Sequence, residues 1–158
     1  MDKKLQILDA SQVEMKLKRI AYEIVENNIG KKEIVLAGIR DNGVVLAGLL
    51  KGHIETISDI RVRVIVILIN KQNPIECQVE EDFDPKGKDI IVVDDVADSG
   101  RTAMYALKPF LKDLPEKIQL AVLVDRKHKK FPVTADYVGI QLSTNLHDII
   151  RVTIAKNL

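Results

Sequence analysis

Residues 90–102 read Ile-Ile-Val-Val-Asp-Asp-Val-Ala-Asp-Ser-Gly-Arg-Thr. An apolar, β-branched run leads straight into two adjacent carboxylates, Asp94 and Asp95, and then into a short polar turn. In open α/β sheets ligands bind just beyond the carboxyl ends of the strands, which is where this turn falls. The backbone N–H groups of Asp98 to Thr102 can form an anion-binding nest at a helix start. Gly100 permits close approach of the backbone, and Ser99 and Thr102 add hydroxyl donors. Such a cradle suits a phosphate dianion. Asp94 and Asp95 would repel that phosphate in direct contact, so the pattern calls for a ligand that bridges two zones. Carboxylates accept hydrogen bonds from sugar hydroxyls and hold Mg²⁺ through its waters. The expected chemistry is therefore recognition of a sugar phosphate, with Mg²⁺ at its hydroxyl end. An ordinary acidic strand-to-helix turn would leave the Ser-Gly-Arg-Thr ending without a reason.

These residues need a scaffold, and the rest of the chain describes one. Within residues 10–27, Val13, Leu17, Ile20 and Ile24 line one helical face, so a helix is predicted from about Ala10. Ser11 and Glu14 have capping-box spacing, with Asp9 as a rival cap. Buried strands are predicted at Ile34–Ile39, Ile60–Ile69, Asp89–Val93 and Ile118–Val124, with further strands over 135–142 and 149–154. Between them come a short helix over 44–50 and a second over 102–112, kinked at Pro109. Residues 70–88 are polar and read as a long loop, or a loop around a short strand. Strands alternating with helices imply an α/β fold with a mainly parallel sheet.

Composition agrees. The chain has 158 residues, a length that fits one domain over 1–158. Aromatics are only 4% and Trp is absent, so Ile, Val and Leu must build the core. Net charge is +1, which does not announce a nucleic-acid-coating protein. Cys77 is the only cysteine, so no internal disulfide can form. That fits a reducing, cytoplasmic setting. No apolar run reaches the ~18–20 residues of a bilayer span, so no membrane role is expected. His53, His128 and His147 lack metal-ligand spacing.

The segment 90–102 resembles the phosphoribosyl-pyrophosphate (PRPP) loop of the type I phosphoribosyltransferases: apolar strand, two acids, a few residues, then Ser/Thr-Gly-x-Thr. The likeness continues in Leu8-Asp9, Lys18 to Ala21, Ala37-Gly38-Ile39, Ile118 to Arg126, His128, Pro132 and Ala135 to Gly139. Those stretches are similar to one subfamily, the bifunctional pyrimidine operon attenuation regulators / uracil phosphoribosyltransferases. The match covers most of the chain and is weakest over residues 51–88. It implies a central, mainly parallel sheet flanked by helices, with a small hood. The implied reaction moves ribose 5-phosphate from PRPP to a nucleobase, uracil ahead of a purine, and releases pyrophosphate in pyrimidine salvage.

The resemblance also distributes roles. Asp94 and Asp95 would hold ribose hydroxyls and Mg²⁺, and Asp98, Ser99, Gly100, Arg101 and Thr102 would cradle the 5′-phosphate. Ile39, Arg40 and Asp41 would form the pyrophosphate loop. Asp125 and Arg126 would open a hood in which Tyr137 stacks on the base and Val138 reads it through the backbone. Asp98 would act as general base or hydrogen-bond acceptor for the base, and Lys71 as a cation closing over the site on a lid, residues 70–77, that orders with ligand. A homodimer or higher oligomer is implied as well.

Four departures stand out. Asp98 is a carboxylate, as in purine-type relatives, where the family's regulators usually carry an aromatic residue. Asp41-Asn42-Gly43 replaces Thr-Arg-Gly and so loses a cation. Asn70-Lys71-Gln72-Asn73-Pro74 replaces an Arg followed by acids. Ile140 and Leu142-Ser143-Thr144 replace a Lys and Pro-Thr-Ser. These leave room for a rival role, a nucleotide-sensing RNA-binding regulator with weak or no catalysis, for which Lys16, Lys18 and Arg19 would offer a basic face.

The cradle makes a direct prediction. Thr102→Val removes a donor to the phosphate, and losing a hydrogen bond to a charged group costs about 1.5–3 kcal/mol. A calorimetric titration should show that loss for nucleoside monophosphates and none for the free base. Equal loss for both would assign Thr102 another task.

Overall fold

The computed structural model describes residues 6–143, 150 and 152–153. Helix α1 spans Ala10–Glu26. Its cap is Asp9 rather than Ser11: the Asp9 carboxylate accepts the Gln12 N–H at 2.8 Å, and the Gln12 side chain accepts the Asp9 N–H at 2.9 Å. The box therefore closes two residues earlier than the Ser11–Glu14 spacing indicated, because the helix already begins at Ala10.

Six strands form one sheet: β1 (Glu33–Ile39), β2 (Arg61–Ile69), β3 (Cys77–Val79), β4 (Asp89–Ala97), β5 (Lys117–Arg126) and β6 (Tyr137–Leu142). Their order is β3-β2-β1-β4-β5-β6. All pairings are parallel except that of β2 with β3, the short strand inside the polar 70–88 stretch. Alternation along the strands sends side chains to two cores. Ile34, Leu36, Ile91 and Val93 meet α1 and α2 (Asn42–Ile57) on one face. Val35, Ala37, Ile90 and Val92 meet α3 (Arg101–Ala106) and Phe110 on the other.

Three elements differ from the sequence expectation. Helix α2 runs from 42 to 57 instead of 44 to 50, because Leu46, Ala47, Leu50 and Ile54 continue one buried face. Helix α3 stops at Ala106, and a 3-10 turn at Lys108–Phe110 takes over where Pro109 has no N–H to give. Strand β4 extends to Ala97 and so carries Asp94 and Asp95 on its last rungs. Of the strand expected over 149–154, residues 149, 151 and 154 lie outside the described residues; Ile150, Val152 and Thr153 are in no strand.

The topology creates a crevice. From β1 the chain moves to β2 on one side and then to β4 on the other, so β1 and β4 flank a switch point. Pairing of β1 with β4 ends at Gly38↔Val93, whereas β4 pairs with β5 as far as Ala97↔Asp125. Asp94 and Asp95 thus stand just past the end of β1. The start of α2 closes against them, since a Cβ on Gly43 would lie 2.4 Å from the Val93 carbonyl oxygen.

Gly43→Ala should therefore push α2 away from β4. Overpacking of this kind costs about 1–3 kcal/mol. Urea unfolding should show a loss of at least that size; an unchanged midpoint would mean that α2 is free to shift.

Candidate functional site: a phosphate turn beside a carboxylate pair

Loops at the carboxyl ends of β1, β2, β4 and β5 converge on the crevice. Asp94 is 3% exposed. Its Oδ1 accepts the Asp95 N–H at 2.9 Å and faces the Lys71 ammonium at 3.5 Å. Lys71 also lies 3.8 Å from Asp95 Oδ1. The Asp95 carboxylate accepts the Val96 N–H at 2.7 Å and the Asn42 amide at 2.9 Å. The same amide nitrogen donates to the Val152 carbonyl at 2.9 Å, tying the described C-terminal residues to the site.

The two acids are unequal. Burial drives Asp94 up to about 7, and Lys71 only partly offsets it. Burial also pushes Asp95 upward, but the Asn42 amide, Asp94, Lys71 and the Val96 N–H outweigh it and hold Asp95 below the usual carboxylate range. Alternation explains the asymmetry: Asp94 shares the buried α3 face with Ile90 and Val92, whereas Asp95 faces the start of α2 and its amide donor.

After β4 the chain turns tightly. Gly100 has φ +90°, a left-handed conformation that favours glycine, and caps α3. The turn and its neighbours, Asp94 and Val96 to Ala103 with Val122, line a hollow of about 40 Å³. The hollow is small and opens to solvent, with the residues of the turn on its walls. Ser99 accepts the Arg101 N–H on its hydroxyl at 3.2 Å, and its carbonyl accepts the N–H groups of Lys130 and Phe131 at 2.9 and 3.2 Å. The β5–β6 loop thus leans on the phosphate turn, as a hood should.

Other expected residues fall around this centre in different ways. Asp98 is exposed and pairs with the buried Arg126 guanidinium at 3.2 Å. Asp125 pairs with Lys129 at 2.5 Å, and Lys129 also reaches the Arg126 carbonyl. Arg40 and Asp41 are exposed at the end of β1, 3.3 Å apart and joined by a cis peptide bond. Ile39 is fully buried, so only its backbone faces the crevice. One base-reading role is corrected, that of Tyr137. Tyr137 is 1% exposed, on the α1 face of the sheet. Its hydroxyl donates to Gln119 at 2.7 Å and accepts from Asn27 at 3.2 Å, so its ring offers no face to a base. The Val138 carbonyl already accepts the Arg19 guanidinium at 2.9 Å, as does that of Gly139 at 2.8 Å. The aromatic type and the motif position could not reveal that α1 covers this edge of the sheet.

Sequence reasoning also missed Asn42 as the donor that fixes Asp95. Its one signal was its place just after β1, at the start of a helix. The hold of Arg101 on the 70–73 loop was equally hidden: Nη2 donates to the carbonyls of Lys71 at 2.8 Å and Gln72 at 3.0 Å.

The chain matches the phosphoribosyl transferase domain family over residues 4–155. It belongs to that family. The "Bifunctional protein PyrR" of Clostridium novyi is 38% identical over 160 residues, covering 95% of this chain and 90% of that one. Its counterpart in Alkaliphilus metalliredigens is 40% identical over 167 residues, covering 99% and 91%. A hypoxanthine-guanine phosphoribosyltransferase structure from Bacillus anthracis is 28% identical, with TM-score 0.75, covering 90% of this chain and 84% of that one. The hypoxanthine phosphoribosyltransferase structure of Trypanosoma cruzi has TM-score 0.79 at 17% identity, covering 88% and 82%, and shows the shared fold. Family and relatives together make the chain a PRPP-dependent phosphoribosyltransferase. Among the described residues no helix is long and apolar enough to cross a membrane.

The sign of the Asp94 shift gives a pH prediction. The folded protein keeps a proton on Asp94 that the unfolded chain releases near 3.8. Stability from this group is therefore present at acid pH and falls as pH rises through about 7. Asp94→Asn cannot lose that proton. Relative to the parent, its melting temperature should rise at pH 8, by about 2–4 °C for each kcal/mol relieved, rise less at pH 5, and change little below the unfolded value of 3.8. The opposite pH trend would show that Asp94 is charged throughout.

Proposed function

We propose that this phosphoribosyltransferase moves ribose 5-phosphate from PRPP to a ring nitrogen of uracil. The C1′–oxygen bond to pyrophosphate breaks, the C1′–nitrogen bond forms, and the nitrogen's proton passes to Asp98 or to water. The observation that carries this reading is the small phosphate hollow beside the Asp94–Asp95 pair, at the switch point of the sheet. A ligand with phosphate at one end and hydroxyls at the other fits both zones at once. The uracil preference rests on the subfamily likeness in Ile118 to Arg126 and Ala135 to Gly139.

Mg²⁺ fits the donor set. Among the described residues no cluster of three or more His, Cys, Asp or Glu forms an all-protein cage. Mg²⁺ is commonly held by one or two carboxylates together with substrate oxygens and waters. Asp94 and Asp95 supply those carboxylates, and they already gather an ammonium between them. When bound, the ion neutralises charge on the departing pyrophosphate. The chain's own residues do the rest. The turn at 98–102 fixes the phosphate, and exposed Arg40 with the backbone at 39–41 faces the leaving group. Arg126 keeps the Asp98 carboxylate in place beside the base.

The rival reading, an RNA-binding attenuation regulator with weak or no catalysis, rests on the subfamily likeness in Ile118 to Arg126 and Ala135 to Gly139 and is not the favoured one. Lys16 and Lys18 on α1 fit it. Arg19 fits less well, since its guanidinium is committed to Glu23 and to the carbonyls of β6. A cytoplasmic homodimer or higher oligomer, built from one domain per chain, completes the proposal.

The test is a turnover panel offering uracil, hypoxanthine and guanine with PRPP and Mg²⁺, run beside filter binding of RNA at two salt concentrations. Uracil should be used fastest. A purine used at least about tenfold faster, a difference of ~1.4 kcal/mol in transition-state binding, would overturn the uracil assignment. Asp94→Asn with Asp95→Asn should abolish metal-dependent PRPP binding by calorimetry; retained affinity would remove the pair from the site.

A further inference from the structure

The loop after β2 is built to deliver a positive charge into the site. Asn70 organises it, its side-chain oxygen accepting the N–H groups of Gln72 and Asn73 at 3.0 and 3.4 Å. Arg101, the first residue of α3, then grips the loop through the carbonyls of Lys71 and Gln72. These contacts bridge about thirty residues of sequence and leave the Lys71 ammonium poised 3.5 Å from Asp94 and 3.8 Å from Asp95. Arg101 also lines the phosphate hollow. One residue therefore belongs both to the candidate ligand cradle and to the contacts that hold the loop at the cation position.

We propose that Lys71 is an internal counter-ion for the Asp94–Asp95 pair, held there by Arg101, and that a divalent cation must displace it to bind. This reading deepens the proposed PRPP site, on which it rests for its biological meaning. A buried carboxylate beside a partly buried one, without positive charge, is unfavourable. Lys71 offsets that in the unliganded protein. When the metal arrives the ammonium is surplus, and it must move away from the pair. Lys71 then becomes available to the anionic ligand that comes with the metal, with the loop still tethered through Arg101. Arg101 acts here as a positioning residue, through the backbone of the residue it places.

The geometry predicts an uncommon result: removing a side chain that sits at the carboxylate pair but cannot itself hold a metal tightens metal binding. Mg²⁺ alone is the probe, measured by calorimetry on the whole chain at about pH 8.5, where ordinary carboxylates are ionised. Lys71→Gln should bind Mg²⁺ at least about fivefold to tenfold tighter than the parent, a modest factor because the ammonium is half exposed. Lys71→Arg, which keeps the charge, should stay close to the parent. Arg101→Gln should shift affinity in the same direction as Lys71→Gln. The double variant should match Lys71→Gln, because Arg101 works through Lys71. Unchanged or weaker Mg²⁺ binding by Lys71→Gln overturns the counter-ion assignment. Additive effects in the double variant overturn the role given to Arg101. Thermal melts of each variant, expected within a few degrees of the parent for such exposed side chains, confirm that folded protein is compared. Because PRPP is absent, failure of the PRPP reading is seen separately, as no PRPP binding by the parent with Mg²⁺ present.

Discussion

Two carboxylates on consecutive residues at the end of a buried central strand form the constraint around which this molecule is arranged. Asp94 is almost wholly removed from water, and burying charge is costly unless it is paired and hydrogen-bonded. The surroundings divide the problem. Asp95 is turned towards α2 and fixed as an anion by Asn42 and backbone N–H groups. Asp94 is turned towards the α3 face and carries the desolvation. Lys71 serves both. An arrangement so short of positive charge is suited to a ligand that brings a cation with it.

The backbone makes this possible by stopping β1 early. Past Gly38 no strand among the described residues pairs with β4 on that side, so Asp94 and Asp95 lie beyond the last rung of that ladder. Three connections fill the rim of that gap. The start of α2 approaches closely because Gly43 has no Cβ to meet the Val93 carbonyl. The loop after β2 is drawn in by Arg101. The β5–β6 loop rests on the Ser99 carbonyl. Each contact joins segments distant in sequence, and together they enclose a small hollow beside the carboxylate pair.

Charge pairing continues on the base side. Asp98 and Arg126, then Asp125 and Lys129, form two ion pairs across the turn and the hood. Arg126 is buried and Asp98 exposed, so the pair holds an accessible carboxylate in a defined place with little freedom. Arg19, by contrast, spends its charge capping the carbonyls of β6, the edge strand next to α1. That contact ties β6 to α1 and leaves each carbonyl one further lone pair.

The sequence by itself determined the α/β architecture, the parallel sheet and the phosphate turn, because these rest on local signals. Apolar runs of strand length, the 3–4 spacing of α1 and the Asp-Asp…Ser-Gly-Arg-Thr ending are all readable over a dozen residues or fewer. Helix limits were less legible: the apolar face of α2 continued beyond the glycines, and Pro109 ended α3 where a kink was expected. What only the tertiary structure decided was which side chains meet. Tyr137 looked like a stacking residue, yet alternation along β6 and the covering helix α1 place its ring in the core. Asn42 and Arg101 carried no signal for their partners, since Asp95, Lys71 and Gln72 lie about thirty to fifty residues away. Residue types set what a group can do; long-range packing sets which groups it does it with.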